Sequence, residues 1–176
     1  GKYIEIWNDV FMQYNKTADG SYEPLKQSNV DTGMGVERTI CMMNGYATVY
    51  ETELFAPLMA KIKELSTARP DSEDAAVRAE RIIADHMRTS VFILGDPKGG
   101  VKPGNVGANY VLRRLIRRSV RYAKLLGIAP GYTRTLAEIV IANYRHVYPE
   151  LEKNSETVIT ELVTEEERFE KTLTAG

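Results

Sequence analysis

Two stretches of this sequence carry side chains whose types and spacing could do chemistry. The first runs from Asp31 to Arg38, where Gly33 and Gly35 are separated by one residue. Glycines so spaced let the backbone turn sharply and let a ligand approach closely. Asp31 could hold a small ammonium group, and Arg38 could stack on an aromatic base or pair with a phosphate. These residues indicate a small-molecule site, although a plain turn into a helix has the same composition.

The second stretch is a basic helix, predicted to follow Asn105 and to end at Leu126. At about 100° per residue its six cations share an arc of about 140°, and they are Arg113, Arg114, Arg117, Arg118, Arg121 and Lys124. No acidic residue lies between Asp96 and Glu138 to neutralise them. Arginine binds phosphates with two parallel N–H donors. Like charges one turn apart destabilise a helix unless a bound anion neutralises them. The pattern favours contact with nucleic acid.

Other interpretations of this cationic face stay open. It could be a solvated helix surface, which is the usual fate of charged positions. It could also bind an acidic protein, or pack on the chain's own C-terminal helix, because residues 150–170 carry eight glutamates. The glycine-rich loop 95–104 before the helix lacks the spacing of a P-loop. Asn105 is predicted to cap the helix with its side-chain amide.

The composition bounds the class of protein. The 176 residues are 43% hydrophobic and 27% charged, which is typical of a globular chain. No apolar run is long enough to span a bilayer, and a signal-peptide pattern is absent, so no membrane association is expected. Cys41 is the single cysteine, and two histidines argue against a metal site. A cytoplasmic location is therefore expected.

The elements that must position these residues fall into two parts. An aromatic and β-branched run at 3–14 predicts one or two buried strands, and Asp19-Gly20 predicts a hairpin turn before a second extended piece at 22–30. A short helix should run from about Gly35 to Asn44 and end at Gly45. Beyond Tyr46 the apolar spacing is helical, with helices predicted at 53–66, from Asp71 or Ser72 to Leu94, from Asn105 to Leu126, at 133–148 and at 155–173.

These elements predict an α+β fold that is predominantly α-helical. His86 lies among apolar positions of the long helix, so it is expected to be a buried, hydrogen-bonded structural histidine. Cys41 is expected in the core. The boundary between the strand-rich part and the helical bundle is predicted near Tyr46.

Four blocks of the sequence resemble alanyl-tRNA synthetases, a family of class II aminoacyl-tRNA synthetases. They are residues 5–15, 30–38, 83–88 and 110–118, and they follow the family's order. The block ending at Arg38 looks like motif 3 of class II, a Gly-x-Gly-hydrophobic-Glu-Arg turn from strand to helix. The resemblance implies that residues 1–46 are the C-terminal portion of a class II catalytic domain with an antiparallel sheet. It implies that residues 47–176 are a helical tRNA-recognition domain.

The resemblance also implies roles for single residues of the first part. Arg38 would pack on the adenine of ATP, with Gly35 in the same turn. Asp31 would bind the amino group of alanine, and the alanine pocket would be lined by Gly33, Asn8 and Trp7. No catalytic set is complete in this chain, because the family's motifs 1 and 2 precede these blocks.

In the helical part the resemblance implies contact with the acceptor stem of tRNA(Ala). Asn105 matches the asparagine that reads a G·U wobble pair in the shallow minor groove of RNA. The tRNA-binding set would be completed by the phosphate-gripping cations Arg113, Arg114, Arg117, Arg118, Arg121 and Lys124. Ala108-Asn109 stand where the family usually has Arg-Gly, so one phosphate contact is expected to be lost. The carboxylate that assists the asparagine in the family is expected after Gly176.

The implied activity is that of an ATP-dependent ligase that joins alanine to tRNA(Ala) through alanyl-adenylate. ATP and Mg²⁺ would serve the whole enzyme, while the isolated chain is expected to bind no cofactor and to make no adenylate. The family's zinc site is expected outside this chain. The alternative is a non-enzymatic helical RNA-binding module, and a third hypothesis is a module that docks acidic proteins. The sequence leaves the oligomeric state open.

Overall fold

A computed structural model describes residues 3–70 and 72–175. In chain order its elements are β1 (Trp7–Lys16), β2 (Tyr22–Met34), α1 (Val36–Met43), a 3-10 turn (Val49–Glu51), α2 (Ala56–Leu65), α3 (Glu73–Gly95), α4 (Gly107–Leu125), α5 (Tyr132–Tyr144), α6 (Pro149–Lys153) and α7 (Ser155–Ala175). The predicted α+β, mostly helical class is confirmed. Ser72 precedes α3 as its N-cap residue, whereas Asp71 lies outside the described residues.

The chain divides into two compact units between Thr52 and Glu53. The first unit is an antiparallel hairpin followed by α1. Its turn forms as predicted, because Gly20 adopts a φ of 89° that favours glycine and the Asp19 carboxylate accepts the Ser21 backbone N–H at 3.1 Å. The assignment of the two units to a catalytic and a tRNA-recognition domain stays a prediction.

The prediction that the strands are buried is wrong for this unit. Trp7 and Phe11, on one face, are 59% and 75% exposed, and Val10 on the other face is 52% exposed. The β-branched and aromatic pattern correctly predicts extended backbone. It does not determine what covers the strand, and a two-stranded sheet leaves both faces open unless another layer packs on them.

The second unit is built around α3, which packs against α4 most extensively and also against α2, α5 and α7. Residues one turn apart form the buried stripes of the long helices, for example Ile83 with Met87 on α3 and Leu112 with Ile116 on α4. Leu162 of α7 is also fully buried. None of the described helices is long and apolar enough to cross a membrane.

Three local predictions have different outcomes. The helix predicted at 133–148 ends at Tyr144, and a separate α6 starts at Pro149, because proline disfavours helical backbone at Tyr148 before it. Cys41 is buried as predicted, with its thiol donating to the Tyr46 carbonyl at 3.2 Å. The predicted hydrogen bonding of His86 fails at Nε2, which is buried without a partner among the described residues.

Candidate functional site

The register of the hairpin decides which predicted residues share a face. Asn8 pairs with Gly33, and Val10 pairs with Asp31. Paired residues of antiparallel strands project to the same side, so these four form one surface, the Asp31 face. A Cβ added to Gly33 would lie 3.1 Å from Asn8 Oδ1, so glycine leaves the amide the room it occupies. Three of the four residues predicted to bind alanine therefore lie together.

Trp7, the fourth, lies on the opposite face of the hairpin. It pairs with Met34, one position out of phase with Asn8, and its indole N–H donates to Asp9 Oδ1 at 3.1 Å. The hairpin thus separates Trp7 from the Asp31 face. Val10, to which the sequence assigned no role, lies opposite Asp31 instead of Trp7. Its position two residues after Asn8 predicts that the two side chains share a face, although not which residue of β2 lies opposite.

Arg38 is positioned by the chain before β1. Its Nη1 donates to the Glu5 backbone carbonyl at 2.8 Å, and Asn8 Nδ2 donates to Glu5 Oε1 at 2.7 Å. A Cβ on Gly35 would lie 3.2 Å from Arg38 Cδ, so glycine permits the arginine to fold back over the turn. Glu5 therefore links the predicted ATP-binding arginine to the Asp31 face. No short-range signal reveals this role, because the Glu5–Arg38 contact spans 33 residues.

The prediction that Asn105 caps the basic helix is wrong. The N-cap residue of α4 is Val106, and the first turn receives no side-chain cap. Asn105 Oδ1 instead accepts a hydrogen bond from Arg113 Nη1, and Arg113 Nη2 donates to the Pro103 carbonyl at 3.3 Å. Gly107 starts the helix, which leaves Asn105 outside it, and a guanidinium is a stronger donor than a backbone N–H.

The six cations of α4 divide into two groups. Arg113 and Arg117 face α7 and form the paired edge of α4. Glu165, whose side chain is 1% exposed, accepts a hydrogen bond from Arg117 Nε at 2.6 Å and lies 3.4 Å from Arg113 Nε. The Arg117 guanidinium also lies 5.1 Å from the centre of the Phe169 ring. For this edge the expectation of an unneutralised helix is wrong, and packing on the C-terminal helix is confirmed.

The remaining cations form the open edge of α4. They are exposed and make no ion pair with the described residues, and they are Arg114, Arg118, Arg121 and Lys124. Arg114 and Arg118 lie 6.0 and 5.8 Å from the ring centres of Tyr110 and Tyr122. Arg121 and Lys124 line a shallow cavity of about 480 Å³ beside Leu125 and Leu173. Exposed guanidinium groups beside aromatic rings can contact both phosphates and bases.

The next acidic residue of α7 turns to a different helix. Glu166 is 2% exposed, and it accepts hydrogen bonds from the Gly131 backbone N–H at 2.7 Å and from the Thr133 hydroxyl. Burial raises the pKa of Glu166, although these hydrogen bonds partly oppose the shift. Two adjacent buried glutamates of α7 thus contact different partners, Glu165 on α4 and Glu166 at the start of α5.

No metal site is evident in the part of the chain that the structure describes, since no three His, Cys, Asp or Glu side chains are grouped to hold an ion. Divalent cations need several such ligands or phosphate oxygens. Asn105 and the four cations of the open edge instead form an exposed surface suited to an anionic polymer.

Comparison with known proteins identifies what the chain is similar to. Residues 1–176 match the family described as tRNA synthetases class II (A). An alanine–tRNA ligase of Treponema pallidum (strain Nichols) is 51% identical over 100% of the chain and 29% of its own length. One of Borreliella afzelii (strain PKo) is 48% identical over 100% and 30%. One of Desulfitobacterium hafniense (strain Y51) is 42% identical over 99% and 20%. The chain thus spans less than a third of each of these relatives.

Proposed function

Because this chain belongs to the class II (A) tRNA synthetases, we propose that it forms part of a protein that attaches alanine to tRNA(Ala). The observation that carries this proposal is identity of 42–51% over at least 99% of the chain to three proteins that are all named alanine–tRNA ligase. The similarity covers both units, so the proposal assigns the hairpin to amino-acid activation and the helical unit to tRNA.

In this proposal the first unit supplies one wall of the alanine and ATP site. The exposed carboxylate of Asp31 binds the ammonium group of alanine, with Asn8 and Gly33 beside it on the Asp31 face. Arg38, held by the Glu5 carbonyl at 2.8 Å, stacks on the adenine of ATP by a cation–π contact. The described residues offer no cluster that fits magnesium, so magnesium enters no step assigned to them.

The second unit binds the acceptor stem in this proposal. The open edge of α4 supplies the phosphate contacts, because its four cations are exposed and free of ion pairs with described residues. Asn105 lies just before the same helix, and its amide reaches a base edge in the shallow minor groove. Phosphate contacts set the position of the RNA, and the amide supplies discrimination.

Titration with two acceptor-stem hairpins, one with the G·U pair and one with G·C, tests the RNA proposal across a salt series. We expect tighter binding to the G·U hairpin, and an Asn105→Ala chain that binds both equally. Binding to neither hairpin would overturn the assignment of the helical unit. Equally tight binding to an acidic peptide would favour a protein-docking module instead.

The hairpin proposal is tested in the complete synthetase that contains this segment. Arg38→Ala should abolish alanine-dependent exchange of pyrophosphate into ATP, because the adenine loses its stacking partner. Lys16→Ala, an exposed cation at the far end of β1, serves as the matched control and should leave the exchange intact. Unchanged exchange in Arg38→Ala would contradict the role given to the hairpin and would favour a non-enzymatic RNA-binding module.

A further inference from the structure

We propose that Glu165 is a positioning residue for RNA discrimination, acting through Arg113 to fix the side-chain amide of Asn105. The inference rests in part on the proposed function, since it concerns the residue assigned to the base pair. It adds that α7, which carries no residue assigned to RNA contact, determines which atom of that amide is presented to the RNA.

The contacts form a continuous chain from α7 to the loop before α4. Glu165 lies 3.4 Å from Arg113 Nε and accepts from Arg117 Nε at 2.6 Å. Arg113 is 18% exposed, and its two terminal nitrogens donate to Asn105 Oδ1 and to the Pro103 carbonyl. One guanidinium is thus anchored by a carboxylate on one side and binds the loop on the other. Its planar fork allows this double role, which a lysine ammonium could not reproduce.

The cost of this arrangement argues that it does more than hold α4 to α7. Glu165 Oε2 and Arg113 Nε are both buried without a hydrogen-bond partner among the described residues. Burying charges that are incompletely hydrogen-bonded opposes folding, and apolar side chains of similar volume often stabilise as well or better. An ionic pair at this point is therefore a poor way to gain stability. What it provides is a guanidinium in a defined place beside Asn105.

A fixed amide has a chemical consequence for recognition. An asparagine side chain can turn over, so that either its oxygen or its NH₂ group faces a ligand. With Oδ1 bonded to Arg113, the NH₂ group is the part of the amide that remains to bind a ligand. The geometry thus selects a hydrogen-bond acceptor on the RNA, such as a base-edge oxygen or a 2′-hydroxyl. A freely turning amide would accommodate donors and acceptors alike and would discriminate less.

The first experiment reads the amide without RNA. In the full chain, ¹⁵N relaxation of the Asn105 side-chain NH₂ should show an ordered group, and Glu165→Gln should make it mobile. Glu166→Gln is the matched control, because it neutralises the adjacent buried carboxylate that binds Gly131 and Thr133 instead. The order of Asn105 should survive in that control. Arg113→Lys should mobilise the amide while it keeps the charge. An ordered amide in Glu165→Gln would overturn the proposal.

The second experiment measures discrimination between the G·U and G·C hairpins. Glu165→Gln should lower the affinity ratio roughly tenfold, as expected for the loss of one base-pair preference, while the salt dependence stays unchanged because the open edge is intact. Full discrimination in Glu165→Gln, together with its loss in Asn105→Ala, would overturn the positioning role and leave the proposed function standing. A wild-type chain without discrimination would overturn the function itself. Far-UV circular dichroism of each variant verifies that the helices persist.

Discussion

The two edges of α4 have the same kind of cations and different surroundings. On the paired edge, Arg113 and Arg117 share the buried carboxylate of Glu165. On the open edge, Arg118 and Arg121 are exposed and make no ion pair with described residues. A charge count over the helix treats these arginines as equivalent. The structure assigns the first pair to holding helices together and leaves the second pair available to an anion.

This difference shows which arginines of a basic helix can be expected to contact nucleic acid. An arginine counts toward a nucleic-acid surface only when no acid on a packed neighbour has already neutralised it. Here the acid comes from 48 residues further along the chain. The predicted RNA-binding surface is therefore smaller and lies on the open edge. Its affinity for RNA depends on four cations rather than six. Variants that affect stability and RNA affinity separately test whether the two edges differ in this way.

The largest effect is expected on the paired edge. Glu165→Ala removes the carboxylate shared by two arginines and leaves their charges poorly compensated, so the free energy of unfolding should fall by roughly 3–5 kcal/mol. Urea unfolding provides the measurement. Glu167→Ala, at an exposed position of the same helix, should change it by less than about 0.5 kcal/mol. Equal losses in the two variants would mean that Glu165 contributes no more to the free energy of unfolding than an exposed glutamate of the same helix.

The open edge should show the opposite behaviour. Arg118→Ala combined with Arg121→Ala should leave the free energy of unfolding nearly unchanged, yet it should reduce the salt slope of RNA binding by about one unit per lost phosphate contact. A matched double variant replaces Arg78 and Arg134, which are exposed on α3 and α5, and it should keep the wild-type slope. If both double variants lower the slope equally, binding follows total charge and the open edge is not the RNA surface.

The adjacent carboxylate offers a smaller, pH-dependent test of the same helix. Burial raises the pKa of Glu166 above its ordinary 4.5 in the folded chain. Well below pH 4.5 the carboxyl is neutral in both the folded and the unfolded state. Above that pH it ionises first in the unfolded state, so the wild-type chain loses stability as the pH rises toward the folded pKa. Relative to wild type, the stability of Glu166→Gln should increase as the pH rises through this range, because glutamine does not ionise. Urea unfolding of both chains from pH 4 to 7 measures it, and a constant difference would contradict it.

Local features of the fold could be predicted from sequence because short-range chemistry determines them. Asp19-Gly20 turns the hairpin, and Gly45 and Gly127, with φ of 68° and 65°, follow α1 and α4. The break before Pro149 was also available from the sequence, since proline restricts the residue that precedes it. The helical spacing of residues 133–148 alone does not reveal this break.

The sequence offered the C-terminal helix as one possible partner of α4, but the individual residue pairs could not be predicted, because they depend on contacts between distant segments. The Arg117–Glu165 hydrogen bond spans 48 residues, and the Arg38–Glu5 contact spans 33. Sequence spacing indicates which face of a helix is charged, but not which neighbour covers it. The same limit applies to the predicted cap, because local spacing places Asn105 near the first backbone N–H groups of α4, whereas the guanidinium of Arg113 binds its oxygen. The hairpin register could not be extrapolated from the turn, because it shifts between Met12 and Tyr14, and the pairing of Val10 with Asp31 lies beyond that shift.

The smallest predicted effect lies where the open edge meets α3. His86 has a pKa below the ordinary 6.5, chiefly because it is buried and also because of the nearby positive charge of Arg118, with Asp85 opposing. Arg118→Ala should therefore raise the pKa of His86, because the nearby positive charge that helps to lower it is removed. The exposed His146, the second histidine of the chain, is an internal control for NMR titration. Binding of an acceptor stem should raise the pKa of His86 in wild type, because a phosphate at Arg118 neutralises the same charge. If RNA binds without changing the pKa of His86, its phosphates lie away from Arg118. The RNA contacts of the open edge would then be centred on Arg121 and Lys124.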